Sequence, residues 1–133
     1  MKNLIFDLEE VIFPKFYVNK DTQGNEYVFI KTSEKIDNKI IAFQKDKTAL
    51  EAFENHIHLW DKIKKKDQNK YKLLGFKIAQ NLKKKLETEF PNKKFIVFLQ
   101  LDFNESSIIR FHQIWDGEPL YFDANEFPGI YEF

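Results

Sequence analysis

The chain has 133 residues, 15 of them Phe and 5 Tyr against 4 Gly and 4 Pro, which is the size of one domain with ample core and excludes a disordered chain. It has no cysteine, so a disulfide framework, a thiolate zinc site and a cysteine nucleophile are excluded. Its 21 basic and 21 acidic side chains cancel, but unevenly: net −3 over residues 1–61, +9 over 62–94 and −6 over 95–133.

The start, Met1 to Asp7, meets acids before a signal-peptide apolar region forms, and no apolar run reaches membrane-spanning length. A cytoplasmic protein without a membrane partner is therefore expected. Leu4, Ile5, Leu8, Val11 and Ile12 fit a helical stripe and predict a short helix within residues 3–13, against a β-branched run near Val11 that favours a strand. Phe13 to Lys20 and Glu26 to Thr32 alternate as strands joined by the turn formers Asp21-Thr22-Gln23-Gly24-Asn25, and Ile40 to Phe43 reads as a third strand.

Thr48-x-x-Glu51 has the form of a capping box, so a helix is expected from Ala49, with Leu50, Phe53, Ile57 and Trp60 recurring on its buried stripe. A second helix spans about Lys70 to Phe90, with Tyr71, Leu74, Ile78, Leu82 and Leu86 inward and Pro91 ending it. Leu73 and Phe76 leave that stripe and require a second cover. A terminal hairpin follows. Phe95, Val97, Leu99, Leu101 and Phe103 share one face, as do Ile109, Phe111 and Trp115 across the turn at Asn104-Glu105-Ser106. Pairing Phe103 with Ser107 sets Leu99 opposite Phe111 and Phe95 opposite Trp115, making Trp60 and Trp115 anchors of one core. The other, more polar face then holds Gln100 opposite Arg110, Phe98 opposite His112, and Asp102 beside them.

All three histidines lie near the two tryptophans. His56-Ile57-His58 has the spacing of a metal pair on a strand, but on the expected helix the two rings stand about 200° apart and share no ion, so no metal is expected. His56 then borders the core and His58 faces out. Arg110 and His112 share a strand face. With Gln100, Asp102 and His56 they make a candidate site for an anionic ligand or a carboxylate-oriented base, weighed against ordinary cross-strand pairing. No Gly-x-Ser-x-Gly elbow, glycine-rich phosphate loop or His-Glu-x-x-His is present, so no cofactor is expected and catalysis is disfavoured. The lysine-rich helix could track phosphates, but its Tyr71, Phe76 and Phe90 are spaced for packing, which disfavours nucleic acid. The tail combines Asp116, Glu118, Tyr121, Asp123 and Glu126, a set suited to a basic protein partner, while closure of the core by its aromatics is the bland alternative.

Asn55-His56-Ile57-His58-Leu59, Leu74-Gly75, Phe90-Pro91-Asn92-Lys93-Lys94-Phe95 and Arg110-Phe111-His112-Gln113 together resemble small uncharacterised bacterial proteins, some regarded as immunity partners of secreted toxins. The resemblance spans about residues 50–116, names no defined family, carries no catalytic residue, and implies a bacterial protein that binds another protein. The expectation is one α+β domain over residues 1–133, an antiparallel sheet of N-terminal meander and C-terminal hairpin with two helices packed on one face. Its expected role is non-enzymatic protein binding, with toxin neutralisation as the specific form. A small anionic-ligand protein or enzyme using Arg110, His112 and His56 is the alternative, and a nucleic-acid-associated protein the third.

Overall fold

The computed structural model describes residues 8–32 and 46–133 and shows an α+β fold with two antiparallel sheets. Helix α1 (Leu8–Ile12) ends before Pro14, whose ring disfavours helical backbone at the residue ahead of it. Strands β1 (Phe16–Lys20) and β2 (Glu26–Ile30) form the expected hairpin. Asp21 fixes its turn: its carboxylate accepts from the Gln23 and Asn25 amides at 2.8 and 3.0 Å, from Asn25 Nδ2 at 2.9 Å and from the Tyr27 hydroxyl at 2.9 Å. Residues 3–7 of the expected first helix and the expected strand Ile40 to Phe43 lie outside the described residues.

Helix α2 (Lys47–Glu54) begins two residues earlier than the capping box implies. Asp46 is the cap and accepts from the Ala49 amide at 2.8 Å, which releases Glu51 to turn inward. The helix also stops earlier. Asn55 closes it, and the Asn55 side chain pairs with β2 as a strand would, Oδ1 accepting from the Ile30 amide and Nδ2 donating to the Val28 carbonyl, both at 2.9 Å. His56–Trp60 is therefore strand β3, not the second half of a helix. Ile57 and Leu59 go into the core at period two while Phe53, expected on the buried stripe, is 62% exposed.

Helix α3 (Gln68–Glu89) buries Tyr71, Ile78, Ala79, Leu82 and Leu86 as its periodicity requires. Gly75 lets it approach the sheet, since a Cβ there would lie 3.1 Å from Leu99 Cδ2 and 3.5 Å from Trp60. Strands β4 (Phe95–Gln100), β5 (Ser107–Gln113) and β6 (Ile130–Glu132) complete a four-stranded sheet of order β3-β5-β4-β6. The β4–β5 register differs from the expected one by two residues. Leu99 pairs with Ile109, Val97 with Phe111 and Phe95 with Gln113. The cause lies in the turn, which opens at Asp102 and takes Leu101 and Phe103 out of the ladder, the Leu101 amide donating to Gly129 O and Phe103 O accepting from the Ile63 amide. An even shift keeps every side chain on its expected face.

Trp115, freed from that pairing, leaves the main core and packs against the small cluster of Tyr27 and Phe29, as Tyr17 and Leu50 also do, whereas Trp60 remains fully buried against Tyr71. Phe76, which lacked a cover, meets Tyr131 and Phe133, so the chain's last strand supplies the missing surface. The helices divide between the faces rather than sharing one. α3 covers the side of Val97, Leu99 and Ile109, and α2 is tied to the opposite side, where Arg110 Nη1 donates to Ala52 O at 3.1 Å.

Candidate functional site

Helix α2 is held by charged side chains at its middle and both ends. Glu51, fully buried, receives four donors: the Val28 amide at 2.9 Å, the Gln113 amide at 2.8 Å, Gln113 Nε2 at 2.7 Å and Trp115 Nε1 at 2.8 Å. Burial pushes its carboxyl up from the ordinary range and the donors from Val28, Gln113 and Trp115 pull against it. At the N-terminus Glu118 accepts from the Thr48 amide at 2.8 Å and the Lys47 amide at 3.3 Å, and pairs with Lys47 Nζ at 3.3 Å. Its partial burial would raise its pKa, but these donors at the positive end of the helix lower it. At the other end Arg110 caps Ala52 O and His56 Nδ1 donates to Phe53 O, satisfying carbonyls that lack helical partners.

The sheet face expected to be open and polar is covered. Tyr121, Phe122 and Phe127 of the tail fold over it, Phe122 packing on Phe98 at 5.4 Å between centroids. His112 beneath them is fully buried. Its Nδ1 lies 2.6 Å from Gln113 O, and Nε2 accepts from the Tyr121 amide at 3.1 Å, which assigns the proton to Nδ1 and leaves neither ring nitrogen spare. Burial lowers its pKa, outweighing the Gln113 carbonyl and the Glu118 and Asp46 carboxylates. Burial likewise lowers that of Arg110, whose guanidinium lies over the Tyr121 and Phe122 rings at 5.0 and 5.4 Å and whose buried Nε has no hydrogen-bond partner among the described residues.

The expected ligand constellation is only partly assembled. Gln100 pairs with Ile108 rather than Arg110, Ile96 rather than Phe98 sits opposite His112, and Asp102 is spent in its own turn, accepting from the Asn104 and Glu105 amides. The register shift is the reason. Arg110 does stand beside His56, its partner on β3. In the tail, Glu118 is engaged inside the fold and Asp123 accepts from the Asn125 amide at 2.9 Å, whereas Asp116, Tyr121 and Glu126 are exposed.

Three residues absent from the expected site now join it. Phe53 lies 5.5 Å from the His56 ring, His56 lies 5.8 Å from His58, and His58 Nδ1 is 2.9 Å from Ser106 Oγ. Arg110, paired with His56 across the ladder, lies over Tyr121 and Phe122, and Phe122 meets Phe127, so the exposed Phe53, His58, Tyr121 and Phe127 lie along one chain of neighbouring residues. His56 and His58 share a side because they occupy alternate strand positions, so the geometric ground for dismissing the pair does not hold. Reading Asn55 as a helix stop would have revealed it.

A family model matches residues 2–128 of the chain. The chain belongs to the Uncharacterized protein PM0498 family. That description assigns the family no activity and makes no link to toxin immunity. No curated protein and no solved structure matches the chain. Among the described residues no helix is long and apolar enough to cross a membrane.

Proposed function

We propose that the protein is a non-enzymatic binding domain that recognises another protein through the surface built by Phe53, His58, Arg110, Tyr121 and Phe127. The observation that carries this reading is the continuous row of rings with large side chains left in water: Phe53 is 62%, Tyr121 39% and Phe127 48% exposed. Grouped aromatics around an arginine are the composition of interface hot spots, and such a group costs solubility unless something covers it. Asp123 and Glu126 flank these rings in the chain, giving an acidic rim suited to a basic partner. The resemblance to immunity partners makes a secreted bacterial toxin the first partner class to test.

The full-length chain, immobilised, is challenged with extract and secreted fraction of the source cells. One stoichiometric partner is expected with wild type and with Leu73→Glu, an exposed position on α3, and its loss is expected with Phe53→Glu and Phe127→Glu. Retention by both of those variants would overturn the surface. Reversal of Glu126 to Lys should slow association with a basic partner while leaving the thermal midpoint unchanged.

A further inference from the structure

We propose that His56 and His58 form a two-imidazole site for a late first-row divalent cation, with Cu²⁺ bound most tightly. Alternation along β3 puts both rings on one side of the sheet, His58 exposed and His56 half-buried, with centroids 5.8 Å apart. Two rings bound cis through Nε2 to one tetragonal ion, with N–metal bonds of about 2 Å, have centroids about 4.5 Å apart, so the two rings must draw together by little more than about 1 Å to share it.

The ring nitrogens are disposed for it. A carbonyl only accepts, so contact with Phe53 O places a proton on His56 Nδ1, and in the neutral ring Nε2 is then the lone pair. Ser106 Oγ, 2.9 Å from His58 Nδ1, can accept from that nitrogen in the same way. These are the outer contacts that orient metal-binding imidazoles: the second nitrogen donates to an oxygen while the first faces the ion. Neither Nε2 has a hydrogen-bond partner among the described residues.

Arg110, the ladder partner of His56, has its charge directed elsewhere, onto Ala52 O at the negative end of α2 and onto the faces of Tyr121 and Phe122. Among the described residues no third His, Asp or Glu joins the two histidines. The remaining positions on the ion therefore go to water. Neutral imidazoles with open positions bind divalent ions in the order that peaks at copper, and disfavour Mg²⁺ and Ca²⁺, which require oxygen donors.

The third histidine provides an internal control, because His112 is buried and both its nitrogens are in use. The ¹⁵N-labelled full-length protein is titrated with CuCl₂ and its three imidazoles are followed by NMR, with electron paramagnetic resonance of the adduct. One equivalent is expected to saturate the protein, broadening His56 and His58 first and leaving His112 sharp, with nitrogen hyperfine structure from two rings. His58→Ala and His56→Gln, the latter retaining a donor for Phe53 O, should each weaken binding by at least about tenfold. Absence of saturable binding, or wild-type affinity in either variant, or first broadening at His112, overturns the proposal.

Discussion

Replacing Glu51 by Gln changes one atom in shape and reverses its hydrogen bonding. Each carboxylate oxygen now accepts two bonds, Oε1 from the Gln113 amide and Trp115 Nε1, Oε2 from the Val28 amide and Gln113 Nε2. Whichever oxygen becomes the new amide nitrogen, two buried donors face another donor. An orphaned buried donor costs about 1–3 kcal/mol, so two cost about 2–6 kcal/mol. Removing a buried charge recovers part of this, which leaves about 2–4 kcal/mol of destabilisation. Flipping the Gln113 amide does not rescue the variant, because Gln113 Nε2 also donates to Glu26 O at 2.8 Å and that bond would be lost. Glu51→Ala orphans all four donors and should cost more. Urea unfolding followed by tryptophan fluorescence measures the loss, and amide exchange should accelerate first at Val28 and Gln113. A Glu51→Gln midpoint equivalent to less than about 0.5 kcal/mol from wild type would refute the clasp.

At the junction of the tail with β4, Gly129 has φ +86° and a Cβ there would lie 2.9 Å from Leu101 O. Gly129→Ala should cost about 1–2 kcal/mol from backbone strain alone, with more from that contact, and should loosen β6 while leaving β1–β2 intact, as hydrogen exchange resolved by residue will show. His112 has a folded-state pKa below its unfolded value of 6.5, so the unfolded chain takes up the proton the fold refuses, and its contribution to stability is present above that value and lost as pH falls. The urea midpoint should drop on acidification from about pH 7.5 to about pH 5, with the Tyr121 amide exposed as Nε2 stops accepting; a flat midpoint would count against the buried neutral ring. Asp21 is held down from 3.8 to about 2, since bonds from Asn25, Gln23 and Tyr27 outweigh its desolvation, so its support of the β1–β2 turn is present above 3.8 and lost as pH falls toward 2. Accelerated exchange of the Asn25 amide within that window is the expected signature.

Much of the architecture is legible in the order of residues. The turn at Asp21 to Asn25, the stripe of α3, its end at Pro91 and the faces of the last hairpin all follow from local rules. The register of that hairpin does not, because Leu101 and Phe103 alternate like strand residues while their backbone groups bond to Gly129 and Ile63, distant in sequence. The cover over the sheet's second face was legible in part. In Phe95-Ile96-Val97-Phe98-Leu99 apolar residues do not alternate with polar ones, and such a run signals burial on both sides. Phe122 is the residue that meets Phe98, and nothing local to either one announces the other.

The segment from Leu50 to Trp60 shows why the site itself was harder to read. Leu50, Phe53, Ile57 and Trp60 satisfy helical spacing, yet Ile57, Leu59 and Trp60 are buried through a strand whose ladder with β5 is irregular between His58 and Trp60. A bulge there lets both Leu59 and Trp60 face inward, which imitates the spacing of a helix. Asn55 decides between the two periods. Its side chain can complete strand-like pairing with Val28 and Ile30 only if the helix ends at that residue, and nearly complete burial makes the two bonds costly to forgo. The same stop turns His56 and His58 to one side and leaves Phe53 at the rim of the outward surface. A single asparagine, through its contacts to a hairpin 25 and 27 residues away in sequence, thus sets the chemistry this face can offer.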